Sequence, residues 1–262
     1  MDGVNKTLYI PLYGKALVSR RGILLLDPKA EEIWEKAGFP LKGKAASKWL
    51  AFYMAIRAAV MDRWTAEKIG QHPEAVVLHL GCGLDNRFGR LGKHSCRWYD
   101  VDMAEVIQER RRHYEETDSY CMVAADLRSS DWLKEMASET CIVVMEGVSM
   151  YLRPEDLAAL LENLKAKFSQ VHLLMDCYSS FAAKASKYKN PINEVGVTEV
   201  YGMDTPEALA EDTGLAFVKQ HDMTPTTLIR ELSTGERMIF SNLYAGKTAR
   251  SLYRLYEFET KK

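Results

Sequence analysis

The segment LHLGCGLDNRFGRL, residues 78–91, joins an apolar run to the start of a helical pattern. Gly81 and Gly83 permit a tight turn that a ligand can approach closely, and the following helix N-terminus offers free N–H groups. The dinucleotide fingerprint G-x-G-x-x-G needs a third glycine where this chain has Asn86. The segment therefore predicts a strand–turn–helix unit, either an ordinary connecting turn or a site for a ligand other than NAD.

Short apolar runs alternate with helical patterns along the rest of the chain. The first five runs cover residues 75–80, 96–102, 120–127, 141–148 and 171–178. Uninterrupted apolar runs are typical of strands covered on both faces, as in a parallel sheet. The alternation predicts a doubly wound α/β fold, and residues 215–223 and 251–258 are two further strand candidates, the last of them for antiparallel pairing.

The chain is expected to form a single domain across residues 1–262, because no linker or repeat interrupts it. Residues 1–74 are predicted to be mainly helical, with Ala45–Gly70 the strongest segment, and residues 75–178 to form the ligand-binding core. Residues 179–214 are expected to form an insertion or lid, and 215–262 the last strands and helices. Segments outside a parallel sheet often cover the ligand at the carboxyl ends of its strands.

The composition of the chain disfavours several classes of binding partner. The chain has 35 basic and 36 acidic residues, and this balance disfavours nucleic acid and anionic membrane surfaces as partners. Its five cysteines are widely spaced and without CxxC pairs, so we expect reduced core thiols and no metal site. The N-terminus has no signal-peptide pattern and Arg57 interrupts the most apolar stretch, which favours a cytoplasmic protein without a membrane span.

Acidic residues follow three successive strand candidates. Asp102 ends the second, Asp126 with Leu127 ends the third, and Glu146 ends the fourth. A single acid at a strand end is more often a turn former or a helix cap. Three on one rim fit an adenosine ligand better, because a carboxylate can accept from two ribose hydroxyls or from an adenine amino group, and the N–H of Leu127 can donate to the ring.

Four motifs in this order resemble the leucine carboxyl methyltransferase family, in particular its bacterial branch of the tetracenomycin polyketide O-methyltransferase type. They are GCGLDNRF, WYDVDMAEVIQERR, AADLRSSDW and VMEGVSMYL, and the resemblance runs from about Leu8 to Asp176. It implies a class I S-adenosylmethionine-dependent methyltransferase with a seven-stranded, mostly parallel sheet, an N-terminal helical extension and an inserted cap.

The resemblance also implies a role for each matching residue. Arg57 would pair with the methionine carboxylate of the cofactor, Gly81 and Gly83 would line it, Asp102 would hold the ribose, Asp126 and Leu127 the adenine, and Glu146 the region near the sulfonium. For Arg57, a salt bridge to Asp62 or to another acid is the alternative explanation of a charge in an apolar helix. The run Arg110–Arg112, among glutamates, is interpreted as a solvated helix face.

The predicted reaction is methyl transfer from S-adenosylmethionine to an oxygen of a small-molecule carboxylate or hydroxyl. In-line displacement depends mainly on positioning and needs no nucleophilic side chain. A carboxylate needs no base, whereas a phenol does, and Tyr151 is a weak catalytic candidate. An NAD-dependent oxidoreductase and a non-catalytic protein that binds S-adenosyl ligands are the alternatives.

The acceptor pocket is predicted to form from residues 9–21 and 178–201, which lie outside the strand–helix alternation. Tyrosines there offer flat apolar faces, and cations could attract an anionic acceptor. The residues singled out for substrate binding are Tyr13, Lys15, Arg20, Tyr178 and Tyr201, with Tyr9, Arg21 and Tyr188 in the same segments. The alternative is that the tyrosines pack a cap onto the sheet and the cations face water.

Overall fold

A seven-stranded sheet with helices on both faces organises the chain. The computed structural model describes residues 3–38, 41–134, 136–189 and 199–261, without the side chains of residues 3–7 and 187–189. The strands are β1 (Val76–Leu80), β2 (Arg97–Asp102), β3 (Tyr120–Ala124), β4 (Thr140–Met145), β5 (Gln170–Tyr178), β6 (Leu215–His221) and β7 (Tyr253–Thr260). The predicted doubly wound fold is confirmed.

The spatial order of the strands is β3-β2-β1-β4-β5-β7-β6. Strands β1 to β5 are parallel, and β7 lies antiparallel between β5 and β6. The antiparallel pairing of the last strand is confirmed; its position inside the sheet was not predicted. Strand order reverses at β1 and β4, and such a switch point opens a crevice at the carboxyl ends of the strands.

Helices flank both faces of this sheet. They are α1 (Gly3–Arg20), α2 (Pro28–Ala37), α3 (Lys48–Gln71), α4 (Arg87–Arg90), α5 (Ala104–Arg110), α6 (Pro154–Lys167), α7 (Ser180–Lys189), α8 (Pro206–Thr213), α9 (Thr226–Ile229), α10 (Thr234–Tyr244) and α11 (Lys247–Leu252). The largely helical character of residues 1–74 is confirmed. In the described part of the chain, no helix combines the length and apolarity needed to cross a bilayer.

Two apolar clusters cover the two faces of the sheet, as alternation along β1 requires, and a third, smaller cluster lies around α1 and α2. Val77 belongs to the cluster that contains Phe52 and Ile56 of α3, whereas Val76 and Leu78 belong to the cluster that contains Leu160 of α6. Successive side chains of a strand point to opposite faces, so both faces of β1 are buried. All five cysteines are free thiols, four of them buried.

The segment expected to form an insertion divides into two parts. Helix α7 follows β5, whereas α8 packs against α6 and β6. The structure therefore assigns Pro206–Thr213 to the helical layer of the sheet rather than to a lid. The Tyr188 side chain and residues 190–198 lie outside the described residues.

His172 on β5 gives the fold a specific sensitivity to acid. Its ring stacks on His72 with centroids 4.4 Å apart, and burial, with Lys68 and His72 adding to it, lowers its pKa from 6.5 to about 4. A histidine that stays neutral in the folded state takes up its proton more readily when unfolded, so acidification favours unfolding. As the pH falls from 6.5 towards 4, we expect the melting temperature to fall less in His172→Gln than in the wild type. An equal fall in melting temperature for the two proteins across this pH range would contradict the assignment.

Candidate active site

A cavity of about 980 Å³ lies beyond the carboxyl ends of β1 to β5. One part of its lining comes from the ends of β1 to β4 and the segments that follow them. We call this part the strand-end rim, and its residues are His79, 81–85, Asp102, Met103, Val106, 125–128 and 146–148. All seven residues predicted to bind the cofactor line this cavity. They are Arg57, Gly81, Gly83, Asp102, Asp126, Leu127 and Glu146.

The glycine turn after β1 has the backbone shape that its sequence predicts. Gly81 and Gly83 have φ angles of 66° and 52°, in the left-handed region that favours glycine. A Cβ atom on Gly81 would stand 2.1 Å from a methyl group of Val148. The turn can therefore lie close to the loop after β4 only because position 81 has no side chain.

Asp102 ties the end of β2 to this turn. Its carboxylate accepts hydrogen bonds from the backbone N–H of Gly83 and of Met103, both at 2.8 Å. Burial raises its pKa above the usual value for an aspartate. Each carboxylate oxygen has a second lone pair, so Asp102 can still accept from ligand hydroxyls.

Asp126 lies nearer the mouth of the cavity. It accepts hydrogen bonds from the backbone N–H and the guanidinium of Arg128, and these bonds lower its pKa. Leu127 beside it is buried. This part of the rim combines an apolar side chain with an ionised acceptor.

Arg57 is already paired with protein carboxylates. It reaches the cavity from α3, and it donates to Glu146 and to Asp176, each at 2.9 Å, and to the Tyr253 hydroxyl at 2.7 Å. Asp62, the partner considered from the sequence, pairs instead with Arg87. The Nε of Arg57 is buried and has no hydrogen-bond partner among the described residues. Contact between this guanidinium and a ligand carboxylate would therefore require one of the present pairs to open or the buried Nε to become accessible.

Glu146 joins Arg57 to a larger buried cluster of charges. Burial by itself would raise its pKa, but the cations Lys15, Arg57 and Arg87 hold it well below the usual value for a glutamate. The cluster linked by Lys and Arg ion pairs contains four cations, Lys15, Arg57, Arg87 and Arg90, and five carboxylates, Asp27, Asp62, Asp85, Glu146 and Asp176. Its surplus of one negative charge favours a ligand with a net positive charge.

The other part of the lining is aromatic. Tyr53, Tyr178, Tyr244 and Tyr253, which we call the tyrosine wall, line the cavity together. Tyr53 stacks on Tyr244 with ring centroids 5.0 Å apart, and Tyr178 lies 4.8 Å from Tyr253. Three of these four tyrosines were not predicted, because α3, α10 and β7 meet only in the folded chain.

The residues predicted to bind the acceptor divide into two groups. Lys15, Tyr178 and Tyr201 line the cavity, but Lys15 is buried in an ion pair with Asp85 at 2.8 Å. The prediction was wrong in placing Tyr13 and Arg20 there, since neither side chain is part of the lining.

The residues of the segment 9–21 that were expected at the cavity but do not line it make other contacts. Tyr13 packs on Trp34 with centroids 5.0 Å apart, and Arg20 pairs with Glu35 on the surface. Arg21 pairs with Glu236. Tyr9 is buried in the cluster around α1 and α2.

Tyr151, the catalytic candidate, lines the cavity, but its chemistry does not suit a base. Burial raises its pKa well above the usual value for tyrosine, so its hydroxyl stays protonated at neutral pH. Tyr151 can donate a hydrogen bond to an acceptor oxygen but cannot remove its proton.

The structure corrects the interpretation of the arginine run at one of its three positions, Arg110. The run was expected to be a solvated face, yet Arg110 is fully buried while Arg111 and Arg112 are exposed. The helical spacing could have indicated this burial, because Val106 and Ile107 lie four and three residues before Arg110 and form the buried face of α5.

Among the described residues, no three His, Cys, Asp or Glu side chains form a group that could hold a metal ion.

This fold and this cavity define a class I S-adenosylmethionine-dependent methyltransferase. The chain belongs to the leucine carboxyl methyltransferase family, whose model matches residues 5–165. It is 29% identical to the tetracenomycin polyketide synthesis O-methyltransferase TcmP of Streptomyces glaucescens over 98% of this chain and 97% of that protein. It is 25% identical to the S-adenosyl-L-methionine-dependent methyltransferase dpfgK of Gibberella zeae over 63% of this chain and 61% of that protein.

Solved structures share the fold at low sequence identity. A candidate methyltransferase from Thermobifida fusca YX matches with a TM-score of 0.60 and 15% identity, over 95% of this chain and 94% of that one. Magnesium protoporphyrin IX methyltransferase from Synechocystis PCC 6803, with bound S-adenosylhomocysteine, matches with a TM-score of 0.52 and 13% identity, over 88% of this chain and 94% of that one. The protein is thus an S-adenosylmethionine-dependent O-methyltransferase, and the oxidoreductase and non-catalytic alternatives were wrong.

Proposed function

We propose that the strand-end rim binds S-adenosylmethionine and that the tyrosine wall holds an aromatic small molecule whose oxygen receives the methyl group. The observation that carries this proposal is the presence of both surfaces in one cavity. The relative TcmP, named for tetracenomycin polyketide synthesis, supports a polyketide-like acceptor, and the tyrosine wall supports an aromatic one.

The residues of the rim fit this cofactor in three ways. The unpartnered Nε of Arg57 suits a carboxylate, and the surplus negative charge of the cluster around Glu146 suits a ligand with a net positive charge. Gly83 lines the cavity without a side chain, so a ligand can approach the backbone of the turn closely there. We assign Asp102 to the ribose hydroxyls, and Asp126 with Leu127 to the adenine.

S-adenosylmethionine supplies a methyl group on a positively charged sulfur, which leaves as a neutral thioether when the acceptor oxygen forms the new bond to carbon. The protein's part is to hold the oxygen in line with that bond and to keep water out. The tyrosine wall and its apolar neighbours Leu50, Met54 and Leu252 provide such a surface. Because Tyr151 stays protonated, an acceptor that arrives ionised, such as a carboxylate, fits this site without a protein base.

The acceptor proposal is tested by comparing ring systems that bear the same reactive group. Aromatic carboxylic acids with one, two and three fused rings are incubated with the enzyme and S-adenosylmethionine carrying a deuterated methyl group, and mass spectrometry follows the label. We expect methyl ester formation to increase with the number of fused rings. Equal labelling of a straight-chain fatty acid would contradict the role of the tyrosine wall.

Tyr244→Leu tests the wall itself. Tyr244 stacks on Tyr53, and stacking contributes about 0.5–1.5 kcal/mol beyond area burial, so we expect the KM of the fused-ring acceptor to rise by about three- to tenfold. The KM of S-adenosylmethionine should not change. Phe217→Leu is the matched control, because Phe217 packs on Tyr256 away from the cavity lining. A rise in the cofactor KM, or no rise in the acceptor KM, would count against the proposal.

A further inference from the structure

Arg110 and Tyr114 donate hydrogen bonds to the glycine turn, and neither side chain has a part in the proposed reaction. Three successive carbonyl oxygens of the turn accept these hydrogen bonds: Gly83 O from Arg110 at 2.9 Å, Leu84 O from Tyr114 at 2.9 Å, and Asp85 O from Arg110 at 2.7 Å. One guanidinium and one hydroxyl thus fix the orientation of three consecutive peptide groups.

Arg110 is itself held rigidly. It is fully buried, it pairs with Asp100 on β2, and its Nε donates to the Tyr120 hydroxyl at 3.0 Å. Its guanidinium lies 4.2 Å from the centre of the Tyr114 ring. A buried arginine with all of these partners has little freedom to move, so the geometry of β2 and β3 is transmitted to the turn.

The carbonyl groups bonded to Arg110 and Tyr114 lie on one side of the turn, and the other side of the turn faces the cavity. Gly81, Gly83 and Leu84 line the cavity, and the N–H of Gly83 donates to Asp102. In a planar trans peptide the C=O and N–H point in opposite directions, so fixing Gly83 O towards Arg110 turns the N–H of Leu84 away from it. Loss of the carbonyl partners would let the peptide groups that follow Gly83 rotate and would change the shape of the turn at the cavity.

We propose that Arg110 and Tyr114 are positioning residues that hold residues 83–85 in the shape that binds the cofactor. We call this pair the turn clamp. The proposal rests on the cofactor site described above, and it assigns to Arg110 a role that its charged neighbours Arg111 and Arg112 do not share, because both are exposed.

The test measures the dissociation constant of S-adenosylhomocysteine by calorimetry, at a temperature where circular dichroism shows each variant to be folded. Tyr114→Phe removes only the bond to Leu84 O and keeps the ring under the guanidinium, so we expect affinity to fall by about three- to tenfold. Arg110→Lys keeps the charge but loses the fork that reaches two carbonyls, and we expect a loss of about tenfold or more. Arg112→Lys, with a side chain 67% exposed, is the matched control and should bind as the wild type does.

A role limited to stability would lower the melting temperature of the clamp variants without changing the affinity of the folded protein. Wild-type affinity in folded Tyr114→Phe and Arg110→Lys would therefore overturn the turn clamp alone. If Arg110→Lys does not fold, the dissociation constant of Tyr114→Phe decides the question. Failure of both the wild type and Arg112→Lys to bind S-adenosylhomocysteine would instead overturn the cofactor site, and the clamp with it.

Discussion

Arg57→Met is expected to weaken binding of S-adenosylmethionine strongly while leaving the affinity for methylthioadenosine almost unchanged. Methylthioadenosine has the same nucleoside and thioether but no amino-acid carboxylate, which is the group that Arg57 is proposed to bind. Because Arg57 also pairs with Glu146 and Asp176, its loss leaves buried carboxylates with fewer partners. We expect an additional loss of about 3–5 kcal/mol in the free energy of unfolding, the usual cost of breaking a buried pair.

Calorimetry with the two ligands and denaturant unfolding measure these effects separately. Arg63→Met is the matched control, because Arg63 lies on the same helix and is exposed. Arg57→Lys retains the charge and serves as the variant for ligand binding if the methionine variant does not fold. Equal losses of affinity for the two ligands would mean that Arg57 only supports the helix and its buried acids.

Asp102→Ala is expected to weaken S-adenosylhomocysteine binding by about 1.5–3 kcal/mol, the range for hydrogen bonds to a charged group. The variant should remain folded, since Asp102 lies at the edge of the cavity and β2 keeps its pairing with β1 and β3. Asp118→Ala, at an exposed position, is the control. An unchanged dissociation constant in folded Asp102→Ala would rule out the ribose assignment.

The same carboxylate makes binding depend on pH in a defined direction. Burial raises the pKa of Asp102, so on acidification it becomes protonated earlier than an ordinary aspartate. Hydroxyl donors prefer the ionised form, and on acidification the affinity of the wild type should therefore begin to fall at a higher pH than an ordinary aspartate would cause. In Asp102→Asn, affinity should be lower at neutral pH and should lose this part of the pH dependence.

The meeting of the proposed cofactor residues at one cavity could be predicted because it depends on local sequence and on one rule of topology. Asp102, Asp126 and Glu146 each follow a strand, and the carboxyl ends of parallel strands meet at one edge of the sheet. The turn at Gly81 and Gly83 is equally local. Neither conclusion required knowledge of which helix packs where.

The partners of Arg57 could not be predicted in this way, since Glu146 and Asp176 lie 89 and 119 positions from it. Any of the chain's acids could have satisfied a buried arginine. The tyrosine wall presents the same difficulty, because it is assembled from α3, β5, α10 and β7, whose juxtaposition depends on β7 entering the sheet between β5 and β6.

The errors on α1 have a simple geometric origin. Five residues of α1 line the cavity, and four of them, Leu8, Pro11, Leu12 and Lys15, are spaced three and four positions apart as on one face of a helix; Ile10 is the fifth. Tyr13 and Arg20 lie off this face. They were chosen for the chemistry of their side chains within a segment, without regard to the face of the helix on which they lie.

A crystal structure of the protein with S-adenosylhomocysteine tests the central claim most directly. The account predicts the ribose hydroxyls against Asp102, the adenine beside Asp126 and Leu127, the carboxylate at Arg57, and the sulfur directed towards the tyrosine wall. A ligand bound outside the strand-end rim, or one whose sulfur is directed away from Tyr53 and Tyr244, would contradict it.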